Sequence, residues 1–168
     1  MTRALENLFL KSLEEHQHKL LRICSVYAKN KEDTEDLFQE VLIQIWKSMP
    51  TFEGKASVGT WMYRVTLNVC LRFKTKHSKK LKRFIQLEGS QMAGFKAEEV
   101  LPDNSGKLNR LRSCIKQLNE ADKAVISLYL ESLPYREISA ITGLAENTIA
   151  VKIKRIKKKL LNCINEGL

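Results

Sequence analysis

The chain has 168 residues, enough for one ordinary domain or two small ones. Its apolar share of 43% and charged share of 29% are those of a soluble globular protein, and only three prolines and seven glycines interrupt it, which favours long helices. The 29 Lys and Arg against 19 Asp and Glu leave a formal charge of +10, and so much self-repulsion is most simply explained by a polyanionic partner, nucleic acid ahead of an anionic membrane surface.

From Leu5 to Cys24 the apolar residues Leu5, Leu8, Phe9, Leu13, Leu20, Leu21 and Ile23 recur at three- and four-residue steps, which predicts a first helix. Residues 33 to 48 repeat the pattern through Leu37, Val41 and Ile45, beside Phe38, Leu42 and Trp46, with Asp33 or Thr34 as the expected cap. The polar face of this second helix holds Asp33, Asp36, Gln39, Glu40 and Gln44. That island of acid in a basic protein suits a basic protein surface rather than DNA.

Met49-Pro50-Thr51-Phe52-Glu53-Gly54 breaks the period as a short loop. Helix resumes near Val58 and runs through Trp61, Val65 and Val69 to Phe73, and a first domain is expected to end near residue 83. Arg72, Lys74, Lys76, Lys79, Lys80, Lys82 and Arg83 put seven cations into twelve residues without an acid, a stretch suited to a nucleic-acid backbone. Residues 84 to 107 lose periodicity and end in Pro102-Asp103-Asn104-Ser105-Gly106, a linker by composition. Helical periods return in Leu111, Ile115 and Leu118, then in Ala124, Ile126, Leu128 and Leu130.

Leu133 to Ile149 reads as a short helix, a tight turn at Gly143 and a second helix, with Pro134 suited to a first turn and Ser139 small enough for close approach. In the second helix Ile149, Ile153, Ile156 and Leu160 form one face, opposite Lys152, Arg155, Lys158 and Lys159, with Lys154 and Lys157 at the sides. Six cations among residues 152 to 159 with no acid favour nucleic-acid contact over a solvated face. Placed in a major groove, the helix would bring Glu146, Asn147, Thr148, Ala150 and Val151 to base edges, with Lys152 and Arg155 as mixed readers and Lys154 and Lys158 toward phosphates. Two features weaken the unit: Thr142 stands where an apolar residue would pack, and Ala145 lacks the capping hydroxyl, typically worth ~1 kcal/mol. Asn147 is able to cap a later helix start, which would compete with base reading.

Cys24, Cys70, Cys114 and Cys163 have no C-x-x-C pairing and no histidine at metal-ligand spacing, so they are expected to be reduced, mostly buried thiols. His16, His18 and His77 show no ligand spacing either. No metal, cofactor or catalytic residue is expected: there is no Gly-rich phosphate loop and no ordered nucleophile set. No apolar run approaches the roughly 20 residues of a membrane span and no signal peptide is visible, so a cytoplasmic protein without membrane insertion is expected.

Residues 32 to 46, Glu-Asp-Thr-Glu-Asp-Leu-Phe-Gln-Glu-Val-Leu-Ile-Gln-Ile-Trp, resemble the acidic segment by which sigma factors grip the largest RNA polymerase subunit. Residues 52 to 68, Phe-Glu-Gly-Lys-Ala-Ser-Val-Gly-Thr-Trp-Met-Tyr-Arg-Val-Thr-Leu-Asn, are similar to the promoter-melting segment of the same family. With the helix-turn-helix they stand in the family's order, and the absence of a domain between them resembles the extracytoplasmic-function group of the sigma-70 family.

The resemblance implies an all-α fold of two small helical domains joined by a linker, the C-terminal one a helix-turn-helix: residues 1–83 as region 2, 84–107 as linker and 108–168 as region 4. It implies polymerase docking through Asp33, Asp36, Leu37, Gln39, Glu40 and Gln44. It also implies a single-stranded promoter surface of Phe52, Lys55, Ser57, Trp61, Tyr63, Arg64, Asn68 and Arg72, where aromatic stacking is worth roughly 1–3 kcal/mol per base. Trp61 equally fits a core position by its spacing to Val65 and Val69. Core polymerase, promoter DNA and an anti-sigma factor are the implied partners, and no homo-oligomer is required. The competing readings are a helix-turn-helix regulator that works without polymerase and an RNA-binding accessory protein.

Overall fold

A computed structural model describes residues 2–88 and 106–166, with side chains for 2–73 and 106–166. Seven α-helices and one 3-10 turn form two groups, and no strand occurs among the described residues. The N-terminal group is α1 (Arg3–Tyr27), α2 (Lys31–Ser48), a 3-10 turn (Met49–Thr51) and α3 (Val58–Glu88); the C-terminal group is α4 (Gly106–Lys116), α5 (Glu120–Leu130), α6 (Tyr135–Thr142) and α7 (Glu146–Glu166).

Helix starts follow local capping chemistry. Thr2 caps α1, and α2 begins at Lys31 because Asn30 caps it, its Oδ1 accepting from the Asp33 N–H at 2.8 Å. This corrects the expected cap at Asp33 or Thr34: an asparagine three residues earlier already satisfies an orphan donor. Asn119 does the same for α5, accepting from the Asp122 N–H at 2.8 Å. Ser57 caps α3, its Oγ accepting from the Thr60 N–H at 3.1 Å.

The α3 backbone stays helical to Glu88, beyond the expected domain end at 83. The basic run between contains neither Gly nor Pro, so nothing local stops the helix before Gly89. Of the expected linker, residues 89–105 lie outside the described residues, and α4 starts at Gly106.

The first group packs α1, α2 and α3 against one another around Leu20, Ile23, Leu37, Ile45, Met49 and Met62, all fully buried. The second closes α5, α6 and α7 around Ile126, Leu128, Ile138, Ile149, Ile153 and Ile156, which includes the apolar stripe read in the last helix. Each core is small, and the two groups also lean on each other, α3 against α6 and α1 against α4 and α5.

One bidentate ion pair joins them. Arg22 of α1 donates from Nε and Nη2 to the two carboxylate oxygens of Glu131, both at 2.7 Å. The bonds it donates to Glu131 hold the guanidinium pKa above its ordinary value. Beside the pair lies a cavity of about 240 Å³ lined by Ile23, Val26, Leu111, Ile115 and Leu130.

The cysteine expectation needs correction. Cys114 and Cys163 form a disulfide that ties α4 to the end of α7, with Cα atoms 6.0 Å apart. A separation of 49 residues carries no local signal for that pairing, since only the packing of α4 against α7 creates it. Cys24 and Cys70 are free and buried, as expected, and the hydrogen bond between them, together with burial, pushes the Cys70 thiol pKa well up.

Candidate nucleic-acid interface

The helix-turn-helix is built on short-range bonds. Pro134 occupies the N-cap of α6 with extended backbone, and Gly143 ends the helix at φ +80°, a left-handed conformation that favours glycine. The Gly143 N–H donates to the Ser139 carbonyl at 2.8 Å, and Ser139 Oγ donates to the Leu144 carbonyl at 2.6 Å. Thr142 turns its hydroxyl to use, donating to the Ile138 carbonyl at 2.7 Å and accepting from the Leu144 N–H at 3.3 Å. The residue that looked wrong for packing therefore closes the turn. α7 starts at Glu146, so Asn147 lies inside its first turn rather than capping it.

Glu146, Asn147, Thr148 and Val151 are exposed and Ala150 is half-buried, so the start of α7 forms an open surface. The cations divide. Lys154, Lys158 and Lys159 are exposed. Lys152 and Arg155 turn toward Asp122 of α5, at 3.1 and 3.6 Å, and Lys157 reaches the Tyr129 hydroxyl at 2.6 Å and lies 4.5 Å from its ring centre. The phenol bond raises the Lys157 pKa. α5 thus engages three of the six cations of the run.

In the first group, Phe52 and Trp61 are both half-buried with ring centres 5.4 Å apart at 51°. Gly54, at φ +75°, turns the loop between them. Lys55 is exposed and pairs with Glu53 at 2.9 Å. The Ser57 hydroxyl is engaged at the helix start, where it also donates to Thr60 Oγ1 at 2.9 Å. Arg64, Asn68 and Arg72 are exposed at four-residue steps from one another, on one face with Trp61. The side chains of the cations from Lys74 to Arg83 lie outside the described residues.

Two of the sequence assignments are corrected by burial. Tyr63 is 2% exposed and packs edge-on against His16 at 5.8 Å, because it follows the buried Met62 on the core side of α3. Burial, reinforced by Glu131 and Glu137, pushes its hydroxyl up to about 12. Leu37 is fully buried at the centre of the α2 stripe and offers nothing to a partner.

On the outer face of α2, Asp36, Gln39 and Glu40 are exposed, Asp33 and Gln44 are half-buried, and Gln44 donates to Ser48 Oγ at 2.9 Å. Ile43 and Trp46 are also exposed, and Trp46 stands edge-on to Phe9 at 5.1 Å. The sequence reading omitted both residues from this surface. Their position off the Leu37–Val41–Ile45 stripe was the available signal.

Arg64 also reaches across the two groups, donating to the carbonyl of Ala140 in α6. Among the described residues no cluster of His, Cys, Asp or Glu is arranged to hold a metal, and no helix is long and apolar enough to cross a membrane.

Comparison with known proteins matches both groups to one family. Residues 13–80 match the sigma-70 region 2 model and residues 108–160 the sigma-70 region 4 model. The chain is 26% identical over 156 residues to the ECF RNA polymerase sigma-E factor of Escherichia coli K12, covering 88% of this chain and 81% of that protein. It is 40% identical over 58 residues to the ECF sigma factor SigG of Mycobacterium tuberculosis, covering 34% of this chain and 16% of that one.

The fold is similar to the sigma factor RpoE solved in complex with the anti-sigma factor NepR from Bartonella quintana, with a TM-score of 0.67, 20% identity and 98% of both chains covered. It is also similar to CnrH in complex with the cytosolic domain of CnrY, with a TM-score of 0.68, 16% identity, and 96% of this chain and 90% of that one covered. Two regions of one family, in order and on one helical fold, lead to one conclusion: the chain belongs to the sigma-70 family, in its extracytoplasmic-function group, and is a transcription initiation factor.

Proposed function

We propose that this factor docks on core RNA polymerase through the outer face of α2, reads an upstream promoter element as duplex with the start of α7, and holds the downstream element as single strand along α3. The observation that carries the reading is the separation of surface charge. A chain of net charge +10 keeps Asp36 and Glu40 exposed beside Gln39 on one helix, where the two acids suit a basic protein and repel DNA, while Lys154, Lys158 and Lys159 stand exposed on another. Ile43 and Trp46 supply the desolvated centre that such a docking surface needs.

On α3, the Phe52–Trp61 pair is a stacking platform, and Lys55, Arg64, Asn68 and Arg72 line the path of the strand beyond it. Ser57 contributes by ordering the helix start. The loop before Ser57 and the first turns of α3 then form the pocket for an extruded base. Arg64 must leave the Ala140 carbonyl to serve, so strand capture and separation of the two helical groups are linked. The N-terminal group is region 2 and the C-terminal group region 4, with the boundary between Glu88 and Gly106.

The factor acts by binding alone and works in the cytoplasm, where its polymerase is. Its partners are core polymerase, promoter DNA and an anti-sigma factor, as NepR is for one of its structural neighbours. A pull-down of core polymerase with the parent chain and with Asp36→Lys/Glu40→Lys tests the docking face. The parent retains polymerase and the double variant loses it at unchanged helix content; equal retention by both refutes the α2 assignment.

A further inference from the structure

Asp122 of α5 is an acidic side chain that meets two cations of α7 from within the fold. It stands in the first turn of α5 with 1% of its side chain exposed. Its Oδ1 accepts from Lys152 Nζ at 3.1 Å and lies 3.6 Å from Arg155 Nη2, while its Oδ2 has no hydrogen-bond partner. A carboxylate taken out of water needs paired charge, and here two cations from one face of α7 supply it. Lys152 is drawn in until its side chain is 20% exposed; Arg155 stays 52% exposed. Two turns further along α5, Tyr129 takes Lys157. α5 therefore holds α7 at two points along its length.

We infer, resting on the reading of α7 as the duplex-recognition helix, that Asp122 is a positioning residue for promoter specificity: it withholds Lys152 from the phosphates and fixes the rotation at which α7 presents Asn147, Thr148 and Val151. Rotating a helix by one residue turns its outward face through about 100°, so a buried tether between α5 and α7 sets which side chains meet base edges. Phosphate contact then falls to Lys154, Lys158 and Lys159, which position the protein without reading sequence.

The two roles separate in a salt series. The full chain assembled with core polymerase is titrated with a duplex carrying its mapped promoter and with a scrambled duplex, for the parent, Lys152→Met, Lys158→Gln and Asp122→Asn. Each lost phosphate contact lowers the slope of log K against log salt by about 0.9 and weakens both duplexes alike. Lys158→Gln does this. Lys152→Met leaves the slope unchanged and lowers the promoter-over-scrambled ratio by roughly tenfold, the range of a single lost base-pair match. Asp122→Asn frees one or two cations, steepening the slope by about 0.9 to 1.8 while lowering the same ratio.

If Asp122→Asn fails to fold, Lys152→Met decides the matter. A fall in slope on Lys152→Met puts that lysine on a phosphate and overturns the inference. No change in slope or ratio makes the pair merely structural and overturns it equally. A parent with no preference for its promoter duplex refutes the recognition-helix reading itself, which separates the two failures.

Discussion

Breaking the Arg22–Glu131 bridge should loosen the two helical groups by a measurable amount. The pair has good geometry, with two bonds of 2.7 Å, and the Glu131 carboxylate is 9% exposed. The Arg22 side chain is 55% exposed, so water screens it and the full value of a buried pair does not apply. Hydrogen bonds to charged groups contribute about 1.5–3 kcal/mol, and exposed pairs up to about 1. An intermediate pair is worth about 1–2 kcal/mol, or 5- to 30-fold in the ratio of docked to separated forms.

The natural perturbation is Glu131→Gln, which keeps volume and helix propensity, with Arg22→Met and the double variant completing a cycle. Single-molecule energy transfer between dyes at Leu10 of α1 and Leu161 of α7, both exposed, reports the docked fraction. Each single variant lowers that fraction, and the double variant is no worse than either. Equal docked fractions in all four proteins, or effects that simply add, would refute the bridge as a coupling between the groups.

Reducing the Cys114–Cys163 bond, or replacing both cysteines by serine, opens a loop of 49 residues and lowers the stability of the C-terminal group by about 4 kcal/mol on chain entropy; urea titration with and without reductant checks this, and coincident curves contradict it. Trp61→Ala removes one member of the stacking pair and costs about 1–3 kcal/mol in promoter opening, read as lost permanganate reactivity with polymerase binding intact. Tyr63 gives a pH signature. Its hydroxyl, ordinarily at 10.0, is held at about 12 in the fold, so both states are protonated below pH 10 and only the unfolded chain ionises between 10 and 12. Stability is therefore lost as pH rises through that window, by up to about 3 kcal/mol. Tyr63→Phe flattens that decline, and because the buried hydroxyl has no partner the substitution leaves stability near neutral pH within about 1 kcal/mol of the parent.

The helices were legible wherever one face repeats. Val41 and Ile45 announce α2, and Ile149, Ile153, Ile156 and Leu160 announce α7, because burial of a stripe follows directly from helical period. Burial explains two misassignments. Leu37 belongs to the period of Val41, and Tyr63 adjoins the buried Met62, so both serve the core although their family positions suggested surface roles. What stayed hidden required knowledge of which helices meet. The Cys114–Cys163 bond, the Arg22–Glu131 bridge and the capture of Lys152 by Asp122 span 49, 109 and 30 residues. No local spacing encodes such partners, and the last of them changes how the basic face of α7 is read.

The central claim is that this chain directs core polymerase to its own promoters. Run-off transcription with purified core polymerase on a library of genomic fragments tests it in one step. Discrete transcripts that appear only with the factor, share a start-site-linked upstream element and vanish with Asp36→Lys/Glu40→Lys are the expected result. Transcription indifferent to the factor, alongside tight binding to duplex DNA in the absence of polymerase, would contradict it.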